Sequence, residues 1–410
     1  MINWERWGLK GNPYNQDPIH EFELDLFVGR EEELKICQSG LATKNARIVI
    51  EGSRGVGTTS LGNYLRYTLL KKKDYFTPIV EIAVGKNWNQ DMLMANTIAA
   101  LCWSLEQRHS EIIEDKKYKE IKMIIQQVQE KYKSYGAQIL GFGGQYGSTE
   151  TTSQPVFFPT LGLIQYFHQI RDIITGLEYQ HGILIQLNNL DLEVIHQPEE
   201  MKQFLNSSRD IFQISGYNWL MVGDLGLRGF IAGEVDRLDD IITIEATVEP
   251  LDIDNVKVLI EKRMKKYALG KSYINPIDFE VISYLHNLTS GRLRYIFGMC
   301  TRLLNILSYE QIIERVDLEI AQPIIAKLAE DRIKQRQVSA SSVEVLRYLV
   351  KMGKSTPTEI SKGLGKAQTA ISRSLAELVK LNLTYCLEEG RKRIYYPQLD
   401  AKVAYLKYLK

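Results

Sequence analysis

Ala46-Arg47-Ile48-Val49-Ile50-Glu51-Gly52-Ser53-Arg54-Gly55-Val56-Gly57-Thr58-Thr59-Ser60-Leu61 is the stretch whose reading decides the fold. A short apolar strand, Ala46 to Glu51, runs into a glycine-rich loop, Gly52 to Thr59, and an amphipathic helix follows from Ser60 to Leu70. In that order the three pieces make a phosphate cradle. Glycines let backbone N–H groups turn inward, and the helix N-terminus adds partial positive charge. The general pattern is G-x-x-x-x-G-K-[ST]. Gly52 and Gly57 fit it, and Thr59 offers the hydroxyl that would ligate Mg. The expected nucleotide contacts, to ATP or ADP, are Gly52, Arg54, Gly55, Val56, Gly57, Thr58, Thr59 and Ser60.

Thr58 stands where the pattern has lysine, and a shift of one residue does not restore it. That lysine bridges the outer phosphates and offsets charge as the terminal phosphoryl group leaves. A threonine donates one hydrogen bond and carries no charge. Binding through the backbone can therefore survive while hydrolysis weakens. Arg54, inside the loop, offers partial compensation.

Outward from the loop, apolar runs alternate with helical patterns. Tyr75 to Val84, Gly182 to Leu187, Trp219 to Gly223 and Ile241 to Ile244 read as further strands. Helices are expected near 89–108, 111–134, 160–178 and 198–213. Strands separated by helices imply right-handed crossovers and an α/β, doubly wound parallel sheet of the P-loop NTPase type. Residues 136–158, rich in Gly, Ser and Thr, read as a hairpin or flexible insertion. Their glycine run follows a helix and opens none, so it does not fit a dinucleotide fingerprint. From about 250 to 337 the pattern is all helical, an α-helical lid. The expected division is an N-terminal extension 1–28, a P-loop core 29–248, a lid 249–337 and a C-terminal domain 338–410.

The apolar strand from Gly182 ends Gln186-Leu187-Asn188-Asn189-Leu190-Asp191. P-loop ATPases place an acid here to hold Mg through water, commonly with a second acid that polarises the attacking water. Asn188 and Asn189 occupy those positions. An amide can hold a water but neither neutralises the metal nor acts as a general base. Asp191 is either a displaced acid or a turn-forming residue. No catalytic residue is assigned with the lysine and acids both neutral; a slow or inactive ATPase is the expectation.

Charge is uneven along the chain. Segment 339–410 holds 13 Lys/Arg and 6 Asp/Glu, a net +7, on a chain of net +1, so residues 1–338 carry −6. A basic end on an acidic body suggests a polyanion partner. Thr356-Pro357-Thr358-Glu359 reads as a capping box with proline at the first helical position. Gly363-Leu364-Gly365 is the turn, and Lys366 to Leu381 a third helix. Two strands, Leu383 to Leu387 and Arg393 to Tyr396, then flank Glu388-Glu389-Gly390-Arg391-Lys392. That is a winged helix-turn-helix, whose third helix enters the major groove. Lys366, Gln368, Thr369, Ser372 and Arg373 would reach base edges, with Arg391, Lys392 and Arg393 of the wing on phosphates or the minor groove. The same fold also serves as a protein-interaction module.

Other classes find no support. No run of about 18 apolar residues signals a membrane span. The start lacks the basic-then-apolar order of a signal peptide. Four scattered cysteines and six dispersed histidines give no metal spacing. A cytoplasmic protein is expected.

Taken in order, several motifs resemble AAA+ ATPases, nearest to archaeal origin-recognition initiators and STAND-type ATPases. They are Gly29-Arg30-Glu31-Glu32-Glu33-Leu34, the P-loop, Asn188-Asn189-Leu190-Asp191, Val235-Asp236-Arg237-Leu238, Glu249-Pro250-Leu251 and Ser290-Gly291-Arg292-Leu293-Arg294. The opening Trp7-Gly8-Leu9-Lys10-Gly11-Asn12-Pro13-Tyr14 also resembles AAA-type proteins of transposition and secretion. The resemblance implies that Gly223 and Asp224 read the terminal phosphate. It implies that Arg237 contacts a neighbour's nucleotide as an arginine finger, and that Arg292 or Arg294 acts as a second sensor from the lid. The functional expectation is a nucleotide-binding, DNA-associated protein with weak or absent hydrolysis. The alternatives are a pseudo-ATPase scaffold that binds a protein or itself, and a slow DNA-dependent ATPase.

Overall fold

A computed structural model of the chain describes residues 2–134, 160–192, 197–309, 315–389 and 392–405. The expected insertion at 136–158 and Arg391 lie outside the described residues. Two compact units form, Asp17–Leu251 and a second made of Met1–Gln16 with Asp252–Lys410. The expected N-terminal extension is thus divided at Gln16.

The first unit runs α1 (Glu31–Leu41), β1 (Arg47–Gly52), α2 (Thr58–Lys71), β2 (Ile82–Ala83), α3 (Gln90–Arg108), α4 (Lys116–Ser134), α5 (Thr160–Thr175), β3 (Ile183–Leu190), α6 (Pro198–Phe212), β4 (Tyr217–Asp224), α7 (Leu227–Glu234), α8 (Asp236–Asp239) and β5 (Ile244–Val248). The five strands form one parallel sheet in the order β2-β3-β4-β1-β5. Alternate side chains of a strand leave opposite faces. Ile48, Ile50, Leu184, Leu220 and Val222 therefore meet Cys37 and Leu41 of α1 and Leu61, Leu65 and Leu69 of α2. Val49, Ile183, Ile185, Leu187, Trp219 and Met221 face the other way, into a core shared with α3, α5 and α6. Both faces are covered, which is why the strands read as continuous apolar runs. Each large side chain so buried contributes about 1.5–3 kcal/mol.

The strand expected over Tyr75–Val84 is reduced to Ile82–Ala83, with an isolated bridge from Phe76 to Ile183. Thr77-Pro78 interrupts it, since proline has no N–H for the ladder. The freed backbone is held by side chains instead. Arg66 Nη1 donates to the Pro78 carbonyl at 2.5 Å and the Tyr67 hydroxyl to the Ile79 carbonyl at 2.5 Å. The last strand begins at Ile244, not Ile241, because Arg47 Nε takes the Ile241 carbonyl at 2.7 Å before pairing starts.

In the second unit, α9 (Ile253–Tyr267), α10 (Phe279–Thr289), α11 (Leu293–Tyr309) and α12 (Leu318–Gln335) pack with the chain start. Arg263, nearly buried, donates to the Pro13 and Asn15 carbonyls at 3.2 and 2.6 Å and lies over the Phe297 ring. Then come α13 (Ala340–Met352), α14 (Pro357–Leu364), α15 (Gln368–Lys380), β6 (Thr384–Glu389), β7 (Lys392–Pro397) and α16 (Leu399–Ala404). β6 and β7 pair antiparallel, and Ser355 adds an antiparallel bridge to Tyr395. Three helices with a hairpin make the winged helix expected from sequence. No helix among the described residues is long and apolar enough to cross a membrane.

Candidate nucleotide site and winged-helix surface

The glycine loop sits at the carboxyl end of β1, between β4 and β5, where open α/β sheets place their ligands. Val56 N donates to the Ser53 carbonyl at 3.1 Å, closing a tight turn. Gly55 and Gly57 have φ of 90° and 111°, a region that side chains disfavour. A Cβ on Gly52 would lie 2.6 Å from the Val248 carbonyl oxygen. All three glycines are thus required by geometry. The first helical bond of α2 runs from Leu61 N to the Gly57 carbonyl at 3.0 Å, and no side chain caps the helix. The amides before Leu61 are the orphan donors of a helix start.

Thr58 is the first residue of α2. Its methyl lies 3.0 Å from where a Gly52 Cβ would be, so the side chain turns back over β1. Arg54 is exposed at the loop. The Ser60 hydroxyl accepts from Ile19 N at 3.3 Å, and Asn63 Nδ2 donates to the Ile19 carbonyl at 3.0 Å. Ser60 therefore fastens the segment before α1, a use the sequence did not signal. Phe27 of that segment stacks on Tyr64 at 4.0 Å and 13°.

Arg30 lies in the Gly29-Arg30-Glu31-Glu32-Glu33-Leu34 motif. Its guanidinium is buried, donating to Glu33 at 2.9 Å and to the Val56 carbonyl at 3.1 Å. It is a cation from outside the loop that touches it within the unit. Its partner is a carbonyl 26 residues away, so periodicity could not reveal it.

At the end of β3 the acid positions form an amide relay. Buried Asn188 Oδ1 accepts from Gln186 Nε2 at 3.0 Å, and the same Nε2 reaches the Thr59 carbonyl at 3.4 Å. Gly62 makes room, since a Cβ there would lie 2.7–2.8 Å from the Gln186 amide. Gln186 Oε1 is buried with no hydrogen-bond partner among the described residues. Asn189 has φ of 66°, and the register against β4 shifts between Leu187 and Leu190. Asparagine tolerates this left-handed conformation, so Asn188-Asn189 builds a bulge.

Two acids do stand near the loop, and both hold backbone. Glu51, directly before Gly52, accepts from Gly226 N at 3.1 Å and Arg228 N at 2.9 Å, which anchors the start of α7. Asp224 accepts from Leu192 N through both oxygens, at 3.3 and 3.2 Å. A Cβ on Gly223 beside it would collide with the Leu190 carbonyl. Glu51 was missed by sequence reading, although an acid closing an apolar strand was the available signal. Asp191 follows the bulge, half-buried. Arg237 is exposed on α8, its carbonyl taken by Arg209 Nε at 2.8 Å. Arg292 and exposed Arg294 belong to the other unit, at the start of α11, with Arg292 5.7 Å from the Tyr295 ring centroid. Among the described residues no group of three or more His, Cys, Asp or Glu is placed to hold a metal.

In the winged helix the capping box forms as expected. Glu359 N donates to Thr356 Oγ1 at 3.3 Å, and Thr356 N to Glu359 Oε2 at 2.7 Å. The third helix starts at Gln368 rather than Lys366. Lys366 pairs instead with Glu344, and Gln368 Nε2 donates to Thr358 Oγ1 at 3.4 Å. Thr369, Ser372 and Arg373 are exposed on α15, Lys392 opens β7, and Arg393 is exposed. Glu377 ties α15 to α13. It accepts from Ser339 N at 2.9 Å, Ser339 Oγ at 2.7 Å and Ser342 Oγ at 2.7 Å. The Ser339 amide first, then the two hydroxyls, hold its carboxyl below the usual carboxylate range. A depressed folded pKa adds stability above the unfolded value and loses it as pH falls through the folded one. Glu377→Gln is therefore expected to flatten the acid limb of the winged helix's melting profile below the usual carboxylate range, read by circular dichroism against pH. An unchanged acid limb would count against this role.

No family model and no curated protein sequence matches this chain. Solved structures similar to it include the Aeropyrum pernix Orc1 protein in complex with DNA, at 15% identity over 98% of this chain and 95% of that one, TM-score 0.46. The Walker-type ATPase of Pyrococcus abyssi is similar at 16% identity, over 96% and 99%, TM-score 0.47. So is the Aeropyrum pernix Orc2 protein in ADPNP–ADP complexes, at 11%, over 96% and 95%, TM-score 0.45.

Proposed function

We propose that the loop at 52–59 binds the phosphates of ATP or ADP and turns the nucleotide over slowly or not at all, while the winged helix binds DNA. One observation carries the first half. The cradle keeps its three glycines and open helix start, yet both positions that should carry charge are neutral. Thr58 is folded back over β1, and Asn188 is bonded through Gln186 to the first turn of α2. Orphan amides and the helix dipole suit an anion without further charge. Thr59 would be the protein's ligand to Mg, but no carboxylate stands at Asn188 to neutralise it, so the residues fit a nucleotide better than a Mg–triphosphate. In this reading Asn188 and Asn189 position water without accepting its proton, and Arg237, Arg292 and Arg294 hold no assigned step.

The protein purified without added nucleotide is expected to release adenine nucleotide on denaturation. Its affinity for fluorescent ADP should change by less than about threefold when Mg is replaced by chelator. A strict Mg requirement would contradict the reading, as would an empty loop that takes up none.

For the winged helix, the exposed Thr369, Ser372 and Arg373 beside Arg393, in a segment of net +7, support nucleic acid. Binding to duplex DNA should weaken steeply with salt. Arg393→Ala is expected to reduce the slope of log affinity against log salt by about 1, one lost phosphate contact, and Arg373→Ala to relax the sequence preference instead. A salt-independent affinity, or none, would favour the rival reading of a protein-binding scaffold.

A further inference from the structure

The wing carries apolar residues on the face turned away from its own domain. In the β6–β7 hairpin, Cys386 and Tyr395 pair on the face turned to Ala376 and Val379 of α15, and Thr384 on that face is buried. Successive residues of a strand leave opposite faces. Tyr385 therefore pairs with Tyr396, and Leu387 with Ile394, on the outer face. An antiparallel sheet with one face on the core ordinarily carries polar residues on the other. Here all four are apolar or aromatic. Leu387 is 49% exposed and Tyr385 38%, while Ile394 and Tyr396 are half-buried. The two tyrosine rings are stacked, 5.2 Å between centroids and 11° from parallel. Lys354, in the connection from α13 to α14, is exposed, with its ammonium 5.9 Å from the Tyr396 ring centroid.

Size and charge choose what covers this face. Four side chains fall far short of the roughly 20–30 residues that each side of a stable protein interface supplies. A nucleobase needs much less, since it is flat and stacks on a single aromatic side chain. Segment 339–410 is net +7, which draws a polyanion to the domain. The hairpin adds little to that charge, with three cations and two acids from Thr384 to Pro397, so what it offers is ring surface. Bases inside a duplex are stacked on their neighbours and show a protein only their edges. An unpaired base can turn its flat face to the wing. We propose that the outer face of the wing is a stacking platform for an unpaired base, which lies on Tyr385 beside Leu387, with Tyr396 backing the stack and Lys354 close to the adjoining phosphate. The substrate is then DNA that carries a single-stranded stretch next to duplex. This rests on the reading that the winged helix binds DNA.

The test compares a blunt duplex with the same duplex ending in a thymidine tail, on the full chain at one salt concentration. The tailed duplex is expected to bind more tightly. Tyr385→Ala should weaken its binding roughly 5- to 150-fold, the range of one stacked base, and change blunt-duplex affinity by less than about twofold. Tyr385→Trp keeps a ring and should keep the affinity. Circular dichroism matching the parent chain shows that the variants fold. A single 5-iodouracil in the tail should crosslink to Tyr385 under near-ultraviolet light, read by peptide mass mapping. The crosslink is made on the unaltered chain, so it does not depend on how a variant folds. Equal losses on the two DNAs, or a crosslink that avoids the hairpin, would overturn the proposal. Self-association that Tyr385→Ala abolishes, with tail binding unchanged, would overturn it by giving the face to a second copy. Duplex binding with no preference for the tail would sink the platform and leave the DNA reading standing. Failure to bind either DNA would sink the DNA reading itself, and the platform with it.

Discussion

Replacing Arg66 by methionine is expected to lower the stability of the Asp17–Leu251 unit by about 3–5 kcal/mol, the usual cost of removing one partner from a buried charged network. For a unit of this size that corresponds to a fall in melting temperature of roughly 6–20 °C. Arg66 is fully buried on α2. Its nitrogens reach Asn63 Oδ1 at 3.2 Å, the Pro78 carbonyl at 2.5 Å, the Tyr67 hydroxyl at 2.9 Å and Glu81 at 3.3 Å, and its carbon Cζ lies 4.3 Å from the Tyr67 ring centroid. Burial, the largest influence, lowers its pKa, with Tyr67 and then Glu81 opposing. Methionine fills the volume but leaves the Pro78 carbonyl and Glu81 without their cation. The same residue holds α2, whose first turn carries Thr58 and Thr59, so nucleotide affinity should weaken with stability. Thermal melts of the full chain check this, and a shift below 2 °C would show that water replaces the guanidinium at little cost.

Restoring the lysine at the loop gives the second large effect. Thr58→Lys is expected to tighten ADP binding about 10- to 100-fold, since a hydrogen bond from a charged donor contributes about 1.5–3 kcal/mol and each 1.4 kcal/mol is tenfold. The side chain starts at the first position of α2. Hydrolysis should stay slow in this variant, because Asn188 still offers no base. Adding Asn188→Asp should raise phosphate release further. Titration with fluorescent ADP reads the first step. An affinity unchanged by the lysine would mean that phosphates do not sit at the loop.

Much of the architecture was legible because its causes are local. The glycines of the loop, the apolar strand from Ile183, and the Thr356–Glu359 capping box all announce themselves within a few residues. The wing followed from two short strands around Glu388-Glu389-Gly390-Arg391-Lys392. What stayed hidden depends on residues distant in sequence. Nothing local says that Arg30 will bind Val56, that Glu51 will anchor α7, or that Ser60 will fasten Ile19. The shortening of β2 came from Thr77-Pro78, whose cost is met by Arg66 and Tyr67 on another helix. Gln186 illustrates the same limit. In sequence it is one polar residue in an apolar strand, whereas in the fold Gly62 yields space for it and it links Asn188 to Thr59. Lys366 shows the same limit: it precedes α15 and pairs on the surface with Glu344, 22 residues away.

With neutral residues at Thr58 and Asn188, we expect the loop at 52–59 to hold a nucleotide without turning it over. Binding and phosphate release measured together, on the full chain with ATP and Mg, test it most directly. Saturable binding is expected, abolished by Gly57→Val since valine disfavours a φ of 111°, with phosphate release no faster than in a Thr59→Ala chain. Rapid release that disappears on Thr59→Ala, or no saturable binding at all, would contradict it.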